Sequence, residues 1–527
     1  MTRLRHVLYL LLLSSLAAGV LCTIVARTDL IFQDGVRYIE QARRISQGAF
    51  SDGVLRSTDH PGYPLLIAAI HGLTGGESAV AWQRAAQTAA VLSGILLVVP
   101  LYLVCVELLG PHLAWLGCLL FYLAPVPCRV MADAMSESTF LLFACWALWG
   151  AIRFLRSGRA RWLALLIIFG VAAYLTRPEG LLLPVAAVGT LVLLPILPAT
   201  RMRPRQWWAA LGILVIAPAC LVGPYVLAKG GLGTKPALAR VLGTSAKAPP
   251  DSVARARLLD PEQTPARTYA LAVKGTAAAI AELVTLPLLP LLALGLLNSR
   301  KSPGRARIRL FLGLILTGSA FALLRLHATC GYCTPRHALL LGLLFFPMSA
   351  AGLSWLCDSI SLGIQKPDDE LAIDRKRAIR RPIVLALLLV VYVCCSAPGL
   401  LRRLNHEGVG YRLGGQWLAD PSHAPAEAKI IDASGWSLFY GQRAGYTFAN
   451  LPAALDDPQA RFVVVREAHL LGPWSYSRFF RDLVRGRLPI ATFPDRPDKT
   501  QSRVFIFDRL QPTSPLADRQ PWSAIRR

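Results

Sequence analysis

The chain has 527 residues, 54% of them hydrophobic and only 17% charged, with a formal net charge of +25. Soluble domains carry about a quarter charged residues, and apolar runs recur here from residue 7 to about residue 400, so the chain is a polytopic membrane protein and not a soluble one. Most Arg and Lys sit in short blocks between apolar runs, without a soluble basic domain or recognition motif, which argues against nucleic acid and for loops facing anionic lipid.

Arg3 and Arg5 precede an apolar run from Val7 to Ala26. The run is long enough to span, so it is predicted to be an uncleaved first helix with a cytoplasmic N-terminus; a cleaved signal peptide is the rival. The next stretch, Arg27 to Pro64, opens a first outer loop over 27–81. It begins with Asp34-Gly35 and continues in a helical pattern, with Tyr38, Ala42 and Ile45 on one face and Arg37, Arg43 and Arg44 around it. It closes on His60-Pro61-Gly62-Tyr63-Pro64.

Further spans are predicted at 82–108, 112–130, 137–155, 162–176, 181–198, 207–228, 280–298, 310–328, 338–357 and 383–400, which with the first makes about eleven. An odd count puts the termini on opposite sides, the C-terminus outside. Short basic blocks at Arg153 to Arg161, Arg201 to Arg205, Arg300 to Arg309 and Arg375 to Arg381 all fall on the inner side of this topology, as positive-inside loops should.

Three outer loops collect polar residues. Between the third and fourth spans Asp133 and Glu137 lie four apart, on one helical face. Between the fifth and sixth lies Arg177-Pro178-Glu179, and between the ninth and tenth lie His327, Arg336 and His337. The loop over 229–279 adds Lys229, Lys235 and other cations, with prolines keeping it irregular. Most of the eleven cysteines lie in apolar runs; Cys330 and Cys333 form a lone C-x-x-C without a second pair for zinc, and whether they pair stays open. From about Leu401 short β-rich runs (KIIDA, RFVVV, ATF, RVFIFD) alternate with helical or turn-rich pieces, predicting a small α/β unit over 401–527 that frays after Gln511.

Each polar residue has a bland explanation. Asp34 suits a helix cap, Glu137 a helix start, and Arg177 and Arg336 suit interfacial anchors; His60 is consistent with an ordinary loop residue. Their collection on one face carries more weight. A sugar on a polyprenyl phosphate leaves as an anion, so one carboxylate to deprotonate an acceptor hydroxyl, plus cations for the phosphate, suffices. A glycoside hydrolase needs two carboxylates across the bond.

The first loop, Asp34, Tyr38, Ala42, Ile45 and Gly48 followed by HPGYPLL, resembles the GT-C superfamily of membrane glycosyltransferases, nearest the branch of protein O-mannosyltransferases and the lipid A aminoarabinose transferase. The SESTFLLF, TRPEG and PRHALLLGLLFFP segments resemble later motifs of that branch. The resemblance covers roughly residues 1–400 and implies a transmembrane catalytic domain there, with a C-terminal extracytoplasmic domain beyond it. It implies Asp34 as catalytic base and Glu137 as second acid, with Asp133 as the alternative. His60, Arg177, Arg336, Tyr38 and Lys235 are the expected donor and phosphate-binding set. Many relatives have an acid directly after the catalytic one; here it is Gly35, so no obligatory metal or other cofactor is predicted. The expected activity is inverting transfer from a polyprenyl-phosphate sugar to a lipid, glycan or protein hydroxyl outside a bacterial inner membrane. A lipid-linked-oligosaccharide flippase or transporter, and an O-antigen ligase or polymerase, are the rivals; the first would show internal repeats and mid-membrane polar residues.

Overall fold

A bilayer core leaves the backbone no partner but itself, so apolar runs of about twenty residues cross it as helices. The computed structural model describes residues 3–196, 203–231, 239, 241, 265–298, 306–362, 370–448, 450–472 and 475–514. Helix α1 is Arg3–Ala26; the first loop then forms α2 (Gln33–Ser46) and the short apolar α3 (Gly62–Thr74). The bundle continues through α4 (Ala79–Leu109), α5 (Ala114–Leu123), α6 (Pro125–Ala132), α7 (Glu137–Ser157), α8 (Ala160–Thr176), α9 (Pro178–Ile196) and α10 (Pro204–Ala228). It is completed by α11 (Thr268–Val284), α12 (Leu286–Asn298), α13 (Ala306–Cys330), α14 (Pro335–Ser361) and α15 (Arg380–Leu401).

Eight of these are long and apolar enough to cross a membrane; the pairs α5/α6 and α11/α12 and the shorter α8 stand at the remaining predicted positions. Two expected straight spans are therefore bent, by 68° between α5 and α6 and by 92° between α11 and α12. Pro125 opens α6 and Pro287 lies one residue into α12, and a residue before proline is pushed out of the helical region. Ala124, with φ −78° and ψ 129°, obeys that rule. Helices α4, α7 and α14 are mostly buried, whereas α1, α10, α13 and α15 bury less than a quarter of their apolar stretch. Ile216 and Leu387 on this outer layer are exposed, which suits hydrocarbon and not water.

After Leu401 the chain builds a five-stranded sheet from β1 (Lys429–Ile431), β2 (Gly445–Tyr446), β3 (Ala460–Arg466), β4 (Ala491–Phe493) and β5 (Val504–Asp508), in the order β2-β1-β3-β5-β4. Strand β1 is parallel to β2 and β3, and β5 is antiparallel to β3 and β4. Because successive side chains alternate between faces, Phe462, Val464, Val504 and Ile506 pack with Tyr411 and Leu418 of α16 (Val409–Ala419). Val463, Val465, Phe505 and Phe507 pack on the other face with Phe480 of α18 (Ser475–Leu483). A sheet covered on both sides explains why RFVVV and RVFIF read as unbroken apolar runs.

This unit sits on the first loop. Trp436 and Tyr440 of α17 (Trp436–Gly441) donate hydrogen bonds to the Ile31 carbonyl (2.9 Å) and to the Gln83 side chain (2.8 Å). Phe439 and Tyr440 share a core with Tyr38, Ile39, Tyr63 and Trp82. Cys330 and Cys333 are both free thiols.

Candidate active site

Asp34 lies in the first turn of α2, where a carboxylate is favoured by the exposed backbone N–H groups and the dipole. Gly35 lets that turn approach the loop before α7: a Cβ there would come within 2.7 Å of the Ala134 carbonyl oxygen and 2.9 Å of its Cβ. An acid directly after Asp34 has no room. Glycine at this position thus has a steric reason in this chain.

Two guanidiniums face the Asp34 carboxylate. Arg336 Nη1 lies 2.7 Å from Oδ2, and Arg37 Nη1 lies 3.2 Å from Oδ1. Arg336 comes from the turn opening α14, which Thr334 and His337 fix by a reciprocal capping box. Its guanidinium lies 4.6 Å from the Phe32 ring centroid, and its Nε is buried with no hydrogen-bond acceptor among the described residues. Arg37 is tied on its other side to Asp59, Nε to Oδ2 at 3.1 Å. The Asp59 carbonyl in turn accepts from Lys229 Nζ at 2.9 Å.

The predicted second acids occupy different settings. Glu137, 1% exposed, pairs with Arg177 Nη1 at 2.7 Å, and Arg177 Nη2 reaches Glu179 at 2.9 Å. Arg177 also donates to Ser136 Oγ (3.3 Å), which lies 3.1 Å from the Tyr38 hydroxyl. Asp133 accepts from the backbone N–H groups of Phe32 (3.1 Å) and Ala134 (2.8 Å) and from Asn405 Nδ2 (2.9 Å). Burial pushes its carboxyl up to about 6, Glu137 adds to the rise, and these hydrogen bonds oppose it. Asp133 thus ties α2, the break before α7 and the C-terminal unit together, while Glu137 belongs to a buried ion-pair chain reaching Tyr38.

Of the predicted donor residues, Arg336 meets Asp34 directly, and Tyr38 and Arg177 reach it through Ser136 and α2. His60 is buried between Tyr174, edge-on with ring centroids 4.9 Å apart, and the tilted ring of Tyr225 at 6.2 Å. Lys235 lies outside the described residues. Sequence reasoning passed over Asp59 and Ser136 and placed Arg37 only as a flanking cation. The three-residue spacing of Asp34 and Arg37 was a usable signal; Asp59 and Ser136 meet the site only through the fold.

Among the described residues no group of three or more His, Cys, Asp and Glu side chains has the arrangement to hold a metal ion. The donor set at Asp34 does not fit a divalent cation either, since both carboxylate oxygens face guanidiniums that would repel it.

Residues 59–222 match the model of a family described as dolichyl-phosphate-mannose-protein mannosyltransferase. No curated protein sequence matches the chain. Among solved structures, ArnT from Cupriavidus metallidurans bound to undecaprenyl phosphate is 14% identical, with a TM-score of 0.57, over 95% of this chain and 98% of that one. The Archaeoglobus fulgidus oligosaccharyltransferase in the apo form is 12% identical, with a TM-score of 0.58, over 89% of this chain and 70% of that one. The oligosaccharyltransferase AglB from the same organism, in complex with an inhibitory peptide and a dolichol-phosphate, is 13% identical with a TM-score of 0.55, over 98% of this chain and 77% of that one. Likeness at this identity establishes a shared fold.

Proposed function

Starting from the GT-C fold that the chain shares with ArnT and AglB, we propose that it is a membrane glycosyltransferase that moves a sugar from a polyprenyl phosphate to a hydroxyl acceptor, with Asp34 as general base. The observation that carries this reading is the pairing of the Asp34 carboxylate with Arg336 at 2.7 Å. A base and the cation that receives the leaving group are held side by side.

In the proposed step Asp34 takes the proton of the acceptor hydroxyl. The acceptor oxygen bonds to the anomeric carbon from the face opposite the phosphate. The bond from that carbon to the phosphate oxygen breaks, and its electron pair stays on the departing phosphate, which Arg336 neutralises. The outcome is inversion. Until donor arrives Arg336 neutralises Asp34 instead; a donor phosphate offers Arg336 a second acceptor and loosens its hold on the base, which Arg37 continues to face. The lipids bound by ArnT and AglB, undecaprenyl phosphate and dolichol-phosphate, are leaving groups of the required kind. The family match over 59–222 supports the same chemistry.

The site end of the bundle is read as extracytoplasmic. Helix α7 starts beside Asp133 and Arg177 and ends near Arg153, Arg156, Arg159 and Arg161, a basic cluster suited to the cytoplasmic side. That orientation puts the C-terminal unit outside, and the likeness to ArnT from Cupriavidus metallidurans supports a bacterial inner membrane.

Purified protein supplied with polyprenyl-phosphate sugars should release free polyprenyl phosphate. Asp34→Asn should lower turnover by roughly 10²–10⁴-fold, the usual worth of a general base, while leaving donor binding intact. Wild-type turnover by that variant would end the assignment.

A further inference from the structure

Helix α2 presents a second face. Arg43 lies nine residues beyond Asp34, which places it on the opposite side of the helix and about 13 Å further along it. There a cavity of about 840 Å³ opens between α2, the start of α4 and the C-terminal unit. The guanidinium of Arg43 lies 5.4 Å from the ring centroids of both Trp82 and Phe439. Trp82 is itself backed by the stacked ring of His71 at 3.5 Å. The Nη2 atom of Arg43 is buried and has no hydrogen-bond acceptor among the described residues. Aromatic contacts fix the plane of this guanidinium where Arg43 lines the cavity, and an arginine has five N–H donors to offer a ligand oxygen.

The rest of the lining decides what kind of oxygen. Glu40 and Glu77 supply carboxylates to the same cavity, and Gln442 bridges its walls by donating to the Glu77 carbonyl at 2.9 Å. Arg443 also lines the cavity, but its guanidinium donates to the Ala424, Pro425 and Ala428 carbonyls, so two carboxylates stand against the guanidiniums of Arg43 and Arg44 and the lining matches neither an anionic ligand nor a cationic peptide. Hydroxyl groups donate and accept at once, so they match guanidinium and carboxylate together. The volume lies in the range of about 300–1,000 Å³ usual for ligand sites and has room for more than one sugar ring.

We propose that this cavity is a saccharide-binding site, separate from Asp34, that anchors an acceptor glycan away from its reacting hydroxyl. The proposal deepens the transferase reading and rests on it for the word acceptor; saccharide binding itself needs no turnover. With the anchor across α2 from the base, the occupant is an oligosaccharide and not a single sugar.

Full-length protein in lipid nanodiscs is titrated calorimetrically with maltotetraose, chitotetraose and mannotetraose, and in parallel with inorganic phosphate and tetralysine. At least one tetrasaccharide should bind, and Glu77→Gln and Arg43→Lys should each weaken it about tenfold, the worth of one hydrogen bond to a charged group. Glu77→Gln keeps the size and shape of the lining and Arg43→Lys keeps its charge, and wild-type melting curves verify their folding. Binding should persist in Asp34→Asn. No tetrasaccharide binding, binding indifferent to both substitutions, or phosphate or tetralysine bound in their place overturns the site. Saccharide binding together with full transfer by Asp34→Asn instead overturns the assignment of the base and leaves the site standing.

Discussion

Arg336 and Arg177 look alike in sequence, each a lone arginine beside a proline at a predicted helix end, yet their surroundings differ. Arg177 is enclosed by Glu137 and Glu179 and only 9% exposed, whereas Arg336 meets Asp34 and keeps a buried Nε without an acceptor among the described residues. A guanidinium placed to take a leaving phosphate is not replaceable by a lysine point charge, because the forked donors are lost. Arg336→Ala should lower transfer by roughly 10²–10³-fold, the usual loss when one donor to developing charge is removed. Arg336→Lys should recover part of that in kcat while KM for the donor stays raised. Equal kcat for Arg336→Ala and wild type, measured by polyprenyl phosphate release, contradicts the role.

At the scale of elements, the site depends on how closely α2 meets the loop before α7. Gly35 is the contact point, with the Ala134 carbonyl 2.7 Å from where a Cβ would stand. Ser138 Oγ donates to the Ala90 carbonyl at 2.5 Å and Ser93 Oγ lies 2.9 Å from Thr139 Oγ1, so α7 is held to α4 one turn below and cannot yield. Gly35→Asp, which would make an acidic pair with Asp34, should therefore destabilise the protein by about 1–3 kcal/mol through overpacking. It should also reduce transfer, because Asp34 is displaced from Arg336. Thermal melting in detergent checks the first outcome and donor turnover the second; a gain of metal-dependent activity in Gly35→Asp would contradict the steric account.

Across the whole molecule, the C-terminal unit and the first loop are joined by charge as well as by the apolar contacts of α17. His406, just after α15, lies between Asp29, beyond α1, and Asp498, on the loop between β4 and β5; its Nε2 is 2.9 Å from Asp498. Arg403 lies 3.6 Å from Asp29 as well, Arg412 donates to the Asp29 carbonyl, and Gln501 reaches the same ring. Partial burial disfavours the charged imidazole, but the hydrogen bonds to Asp498 and Asp29 outweigh it and raise His406 above the ordinary value of 6.5. A group raised on folding stabilises fully below its unfolded value and loses that contribution as pH climbs through the raised one. Backbone hydrogen exchange at residues 27–32 and 496–501 should therefore show greater excess opening, beyond the intrinsic rate, above that range than at pH 6, and His406→Gln should flatten the dependence. Eight to ten of the eleven predicted span positions, the pairing-competent runs KIIDA, RFVVV, ATF and RVFIFD, and the candidate acid Asp34 were legible in the chain, because length, hydropathy and alternation are local properties. The bends at Pro125 and Pro287 were legible as prolines but not as angles, since neighbouring helices decide how far a break opens. Which carboxylate faces Arg336, why position 35 takes a glycine, and how Asp59 and Ser136 join the site were decided only by the tertiary structure. Those contacts join residues up to 302 positions apart, and no local pattern encodes which distant side chain a given charge will meet.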